Sequence, residues 1–324
     1  MRSRRPVSSG LVLALIVASC IGADEPTRPR DVEGVRWRQL PPAPTARSEV
    51  TAATDGERIF VVGGFVESGA TVPTVEIFDP DAEVWTSGPD LPVAVNHPMA
   101  AVVDGRIHVL GGYLGPGLSN PTDRVFGLQG DRWEELEPMP EPRAAGGAAV
   151  VDGLLHVAGG VGSEGLVEVT SVFDPSAGRW TTVEGPPTGR EHLGVAGLDG
   201  RLFVVGGRTG GIGSNLDAAE AYDVAAGRWN GLTDMPTARG GIAATATTNG
   251  YVVAAGGEAD TTFGEVEAYD VEEADWLSLP EMPTPRHGLG VVALGTVVYV
   301  IAGGPEPGLS ASDAVEAIEL APLR

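Results

Sequence analysis

Residues 47–64 read RSEVTAATDGERIFVVGG, and after a ten-residue gap residues 75–92 read VEIFDPDAEVWTSGPDLP. Residues 50–54 form a strand of small side chains, suited to a crowded centre. Asp55-Gly56 is a hairpin turn, because Gly takes the positive φ that such turns need. Residues 59–62 (IFVV) are a fully apolar, buried strand that ends at Gly63-Gly64, where glycine admits a close neighbouring backbone. Residues 75–78 make a third strand, Asp79-Pro80 opens the next turn, and Trp85 lies on a fourth strand. Phe78 and Trp85 are seven apart, so a four-residue turn sets them opposite each other on one face of a hairpin.

The unit recurs six times. Gly-Gly pairs fall at 63–64, 111–112, 159–160, 206–207, 256–257 and 303–304. The six Trp, at 37, 85, 133, 180, 229 and 276, each precede a pair by 26 or 27 residues. The aromatic-to-Trp offset of seven returns as Phe126/Trp133, Phe173/Trp180, Tyr222/Trp229 and Tyr269/Trp276. A period near 48 with four short strands signals a β-propeller. Burying each Trp contributes about 4–6 kcal/mol of gross transfer free energy, so these aromatics read as core.

The pattern of strand, Asp-Gly-type turn, strand ending in Gly-Gly, aromatic and Trp resembles the kelch repeat, over about residues 36–321. The resemblance implies an all-β, six-bladed kelch-type propeller. The ends say how it shuts. No Trp follows Gly304, and the last unit has a third strand at 314–320 with Ile318 at the aromatic position, but no fourth. The segment around Trp37 is expected to supply it, closing the last blade with the N-terminal strand.

Residues 1–20 (MRSRRPVSSGLVLALIVASC) combine a basic start, an apolar run at 11–18 too short to span a bilayer, and Val17-Ala18-Ser19-Cys20. That end resembles a bacterial lipobox, which implies lipid attachment at Cys20 after removal of residues 1–19. Residues 20–34 then read as a tether and 35–324 as the propeller. The expectation is an exported, lipid-anchored, monomeric protein on the extracytoplasmic face of the cell envelope, touching membrane only through its anchor. The chain carries 21 basic residues, all Arg, against 44 acids, a net charge of −23. That argues against nucleic acid as a partner, since no basic footprint is available. Gly and Pro together make 73 of the 324 residues (47 + 26), which in a periodic chain marks a turn-rich repeat fold rather than disorder.

Signals for catalysis are sparse. The single Cys excludes disulfide frameworks and Cys-based metal centres. It also excludes the Cys–Tyr crosslink of copper oxidases resembling galactose oxidase, because Cys20 precedes the propeller. His108 and His156 occupy the repeat position of Phe60 and Phe203 and read as packing residues. His97, His192 and His287 stand in separate repeats without ligand-like local spacing, so no metal and no cofactor are expected. Iron-dependent kelch proteins of the nitrile-specifier type place Glu and Asp upstream of a His; here Ala100 and Ala148 stand where the Glu belongs. There is no Gly-x-Ser-x-Gly elbow. The Gly-rich run 206–215 joins two strands and so lacks a helix N-terminus for phosphate.

One constellation repeats. Arg47, Arg143, Arg190, Arg239 and Arg286 each precede a first strand, with Val95-Asn96-His97 at that place in the second unit. Arg47, His97, Arg143, Arg190, Arg239 and Arg286 are therefore the candidate ligand-binding set. They would ring the channel mouth and recognise a small anion or saccharide through bidentate guanidinium contacts. The competing reading is scaffold, with these Arg paired to Glu76, Glu220, Glu267 and Glu316 on adjacent blades. The loops after Gly-Gly differ in every unit and offer Tyr113, Asn120, Arg208, Asn215 and Asp217 as recognition candidates. The function expected is a ligand- or protein-binding module, its partner an envelope protein or a small anionic or saccharide ligand. The alternatives are a sugar epimerase or mutarotase, by resemblance to N-acetylneuraminate epimerase, and a scaffold subunit of an envelope complex.

Overall fold

The computed structural model describes Met1, residues 30–32 and residues 34–323. The signal segment, Cys20 and the tether up to residue 29 lie outside the described residues. Six four-stranded antiparallel sheets form the blades of a propeller. The first comprises Thr51–Thr54, Ile59–Val62, Val75–Asp79 and Val84–Ser87, from inside to outside. Blades 2 to 5 repeat that order, starting at Met99, Gly147, Gly194 and Ala243. The innermost strands pack side by side in cyclic order, the sixth against the first. Among the described residues helix is confined to two single 3-10 turns, Ile212–Ser214 and Ala321–Leu323.

The ring closes as the sequence predicts. In blade 6, Gly290–Leu294, Val297–Ile301 and Val315–Glu319 are completed by Trp37–Gln39, with Trp37 directly opposite Ile318. Arg30–Asp31, placed by the sequence in the tether, adds a short parallel strand to the outer edge of blade 5 beside Leu277 and Ser278.

The tryptophans do more than fill space. Each indole N–H donates to a carbonyl at or just past the end of the outer strand of the preceding blade. The acceptors are Pro280 for Trp37 (2.7 Å), Pro41 for Trp85 (3.0 Å), Pro89 for Trp133 (2.7 Å), Glu137 for Trp180 (3.0 Å), Glu184 for Trp229 (2.8 Å) and Thr233 for Trp276 (2.8 Å). The six bonds staple each blade to its neighbour all the way round.

Two local readings are corrected. The direct pairing holds for Phe78/Trp85, Phe173/Trp180, Tyr222/Trp229 and Tyr269/Trp276, but in blade 2 Trp133 faces Leu128 and Phe126 faces Glu135. In most other blades an Asp follows the aromatic and its Oδ1 caps the turn, as Asp79 accepts from the N–H groups of Asp81 and Ala82. Gly127 stands there in blade 2, no Asx cap forms, and the strand runs on to a two-residue turn at Gly130-Asp131. In blade 6 the positive-φ pair is Ala302-Gly303 rather than Gly303-Gly304. The Gly303 N–H donates to the Arg47 carbonyl at 2.8 Å, as Gly64 N–H does to Val95, which sets the register.

Candidate functional site

The five repeated arginines are interior. Arg47, Arg143, Arg190, Arg239 and Arg286 are 0% exposed, each folded back into the blade that it introduces. Arg47 donates to the carbonyls of Gly63 and Thr74 at 2.9 Å each and to Glu76 Oε2 at 2.8 Å. Arg190, Arg239 and Arg286 repeat the arrangement with Glu220, Glu267 and Glu316 at 2.5, 2.7 and 2.6 Å. The pairs lie within one blade, not across adjacent blades. The guanidinium shares the carbonyl ahead of the third strand with a backbone N–H, as at Thr74 and Ala218, and adds a donor to the Gly-Gly turn carbonyl, tying that corner together. Blade 2 confirms the coupling by lacking both partners: Val95 replaces the Arg and Arg124 replaces the Glu. In blade 3 the Glu position is Ser171, and Arg143 is left with half-exposed Glu141; burial draws its pKa down to about 10. None of the five arginines is presented to the channel.

His97 is different, and its alignment with the arginines is corrected. Val95 holds the Arg place, and His97 lies two residues further on, equivalent to Glu49, Ala145, His192, Gly241 and Gly288. All six adopt positive φ, from 51° at His97 to 74° at Gly241. Their backbones form a closed circle about the axis. The N–H of His97 donates to the Glu49 carbonyl (2.9 Å), Ala145 to His97 (3.1 Å), His192 to Ala145 (2.7 Å), Gly241 to His192 (3.0 Å) and Gly288 to Gly241 (2.9 Å). Val50 N–H donates to Gly288 at 3.3 Å and completes it. Four non-glycine residues in the left-handed region is a strained choice, and such strain persists only where surrounding structure enforces it, commonly at functional sites.

Three of these six positions carry ionisable side chains, and the channel below them encloses a cavity of about 110 Å³. Glu49, His97 and His192 line its end, with side chains only 11, 4 and 5% exposed. His97 Nε2 lies 3.1 Å from Glu49 Oε2, and the His97 and His192 rings meet edge to face at 4.8 Å between centroids. One candidate ligand atom from each of Glu49, His97 and His192 falls within 4.8 Å of the other two. Tyr113 and Phe65 pack against His97 from the loops.

A second layer surrounds this core. Glu191 Oε2 lies 2.9 Å from His192 Nδ1, and its other oxygen accepts from Arg208 Nε at 3.0 Å. A second Arg208 nitrogen donates to Glu258 at 2.9 Å. His287 Nδ1 lies 3.1 Å from Glu49 Oε1, and its Nε2 donates to the Glu306 carbonyl at 3.1 Å. Asn215 Nδ2 donates to the Glu258 carbonyl at 2.8 Å. Of the loop candidates, Tyr113, Arg208 and Asn215 thus join the axial cluster, while Asn120 and Asp217 stay exposed.

The electrostatics follow. Burial alone would raise the Glu49 carboxyl, but the charges of His97 and His192 and the hydrogen bond from His287 hold it far below the usual carboxylate range. Burial, only partly offset by Glu49, draws His97 down to about 4. His287 is the reverse: burial would lower it, but Glu49 and Glu258 raise it above the ordinary imidazole value. Burial, with Glu191 beside it, pushes the Tyr113 hydroxyl up to about 12. His108 and His156 lie buried inside blades 2 and 3, as packing residues should.

The fold defines the class: an all-β, six-bladed β-propeller, with Kelch repeats in three regions. Residues 46–92, 189–236 and 243–283 match the Kelch motif. Among curated proteins no sequence match is found. The chain is similar in fold to the structure of YjhT, with a TM-score of 0.75 and 17% identity over 87% of this chain and 97% of that one.

Proposed function

We propose that this protein is a binding propeller, exported and lipid-anchored through Cys20, that takes its ligand or protein partner at the loop end of the axis. The observation that carries this reading is where the repeat breaks. In a repeat protein the residue shared by all units is scaffold, and the residue that departs from its equivalents is free to serve a ligand. Glu49, His97 and His192 face Ala145, Gly241 and Gly288 at equivalent positions, and the loops add Arg208, Glu258 and His287 beside them. With the five arginines interior, the preference for an anion loses its basis. Carboxylates and imidazoles in hydrogen-bonding range favour a hydroxyl-rich saccharide or a cationic group on a partner. Ligand pockets for such molecules occupy about 300–1,000 Å³, so the ligand rests on the loop rim and reaches the cluster with one end. A thermal-shift screen of neutral and anionic saccharides and short peptides tests this. A shift that disappears in an Arg208→Ala variant is expected; a blank screen contradicts it.

A second reading is sugar epimerisation or mutarotation. The 3.1 Å carboxylate–imidazole pair of Glu49 and His97 favours it, since such chemistry needs one acid and one base in reach of a hemiacetal. Mutarotation followed by NMR on sialic acid and common hexoses decides: acceleration lost in His97→Asn supports an enzyme, and a rate equal to buffer removes it.

A further inference from the structure

The hydrogen bonds around the axial cluster assign proton positions, and those positions leave a gap. Asn96 Nδ2 donates to Thr71 Oγ1 at 3.0 Å and to the Gly115 carbonyl at 3.1 Å. Its amide orientation is thereby fixed, and its Oδ1 accepts from His97 Nδ1 at 2.7 Å. A neutral His97 with its proton on Nδ1 carries a lone pair on Nε2. That lone pair faces a Glu49 carboxylate oxygen at 3.1 Å. Two acceptors at this distance repel unless a proton or a metal ion is shared between them, so the pair is a cation-binding contact.

His192 Nδ1 lies 2.9 Å from Glu191 Oε2, a contact rather than a hydrogen bond, and Nε2 is the other nitrogen that the ring can offer. The other Glu49 oxygen lies 3.1 Å from His287 Nδ1. Each of the three inner groups thus has a polar neighbour behind it, and the hydrogen bond to Asn96 fixes His97. This is the arrangement by which proteins fix metal-binding imidazoles and carboxylates. Charge points in the same direction. Glu49, Glu191 and Glu258 are three carboxylates, and the Arg208 guanidinium pairs with the last two. Shape agrees as well. Gly288 lies so close to Glu49 that a Cβ there would stand 2.5 Å from the carboxylate carbon, so glycine is what lets the carboxylate lie over the axis.

We propose that Glu49, His97 and His192 bind one divalent transition-metal ion, zinc in the first instance, on the propeller axis. The donors are Glu49 Oε2 and the Nε2 atoms of the two imidazoles. Two nitrogens and one carboxylate oxygen suit zinc and the neighbouring first-row dications, and three protein ligands leave a coordination position open. The open position faces the channel cavity, which at about 110 Å³ holds a few waters. The ligands hang from the backbone circle, one per repeat, so that the closed ring sets their spacing. The ion lies in the site on which the binding reading rests, and the two claims are tested apart.

The test uses the whole chain, treated with chelator and then titrated with Zn²⁺ by calorimetry and with Co²⁺ by visible absorption. One ion per chain and ligand-field bands from Co²⁺ are expected. Glu49→Gln and His192→Ala should each weaken Zn²⁺ binding about 100-fold or more and abolish the Co²⁺ bands, with melting curves showing that both variants fold. His108→Phe, remote from the axis, should bind as the parent does. A folded parent that takes up neither ion overturns the proposal, and so does uptake unchanged in Glu49→Gln and His192→Ala. Metal binding together with a blank ligand screen on the zinc-loaded protein upholds the ion and rejects the binding reading alone.

Discussion

Two sets of equivalent positions surround the axis only two residues apart in each repeat, and they serve opposite ends. The arginine set is nearly uniform, wholly buried, and paired inside its own blades. The axial set holds Glu, His, Ala, His, Gly and Gly, shares one backbone conformation, and differs in every chemical respect. The first set keeps its residue type because five of the blades present the same corner of carbonyls to a guanidinium, four of them with a Glu beside it. The second keeps only its φ angle, because the hydrogen-bonded circle needs that and nothing more of the side chain. A position constrained in backbone and free in side chain is where a repeat scaffold can carry function without losing its fold.

Several experiments sharpen or break this contrast. The largest effect should come from the closure that both sets depend on. Deleting residues 31–42 removes the outer strand of blade 6 and the Trp37 staple, and should lower the melting temperature by more than about 10 °C, from the loss of at least 5 kcal/mol. An unchanged melting curve would falsify the closure. Next is Arg190→Ala, which removes the ion pair to buried Glu220 and the donors to the Thr188, Gly206 and Ala218 carbonyls. Breaking a buried pair in this way costs about 3–5 kcal/mol. Denaturant unfolding should show that loss with any ligand binding intact in the folded fraction. A loss of binding without loss of stability would return the arginines to the site. Trp85→Phe keeps most of the ring but deletes the bond to Pro41, and about 1–2 kcal/mol is expected, mostly from that bond and the smaller buried area.

The smallest effect concerns pH. Burial lowers the pKa of His108 and His156 below the ordinary imidazole value of about 6.5. The unfolded chain therefore takes up their protons first as pH falls, so stability is fully present above 6.5 and is lost as pH drops through the folded values. The double variant His108→Phe/His156→Phe adopts the residue found at the same place in blades 1 and 4. It should show a shallower decline of melting temperature below pH 6.5. An identical pH profile would mean that other groups set the acid limb.

Much of the architecture was open to reading because it is written periodically. Gly-Gly, the Trp and the aromatic seven residues before it are steric requirements of every blade, and the missing last Trp exposed the closure. The errors fell where one blade departs locally: Gly127 for the capping Asp, and Ala302 for the first glycine of the pair. The site stayed hidden for a related reason. Glu49, His97 and His192 lie a full repeat or more apart, so a search for short ligand spacing passes over them. His97 aligns with the arginines by polarity because Val95, which holds their place, is apolar and its polar neighbours draw the alignment. The available signal was the position two residues after each Arg, where ionisable residues alternate with Ala and Gly and no packing rule asks for them.

The most direct measurement is an anomalous difference map from a crystal of the chelator-treated chain soaked in zinc. One dominant peak on the axis, about 2.0–2.2 Å from Glu49 Oε2 and the Nε2 atoms of His97 and His192, is the result expected. A map whose strongest peak lies at the outer acidic turns, with nothing between those three side chains, would contradict it.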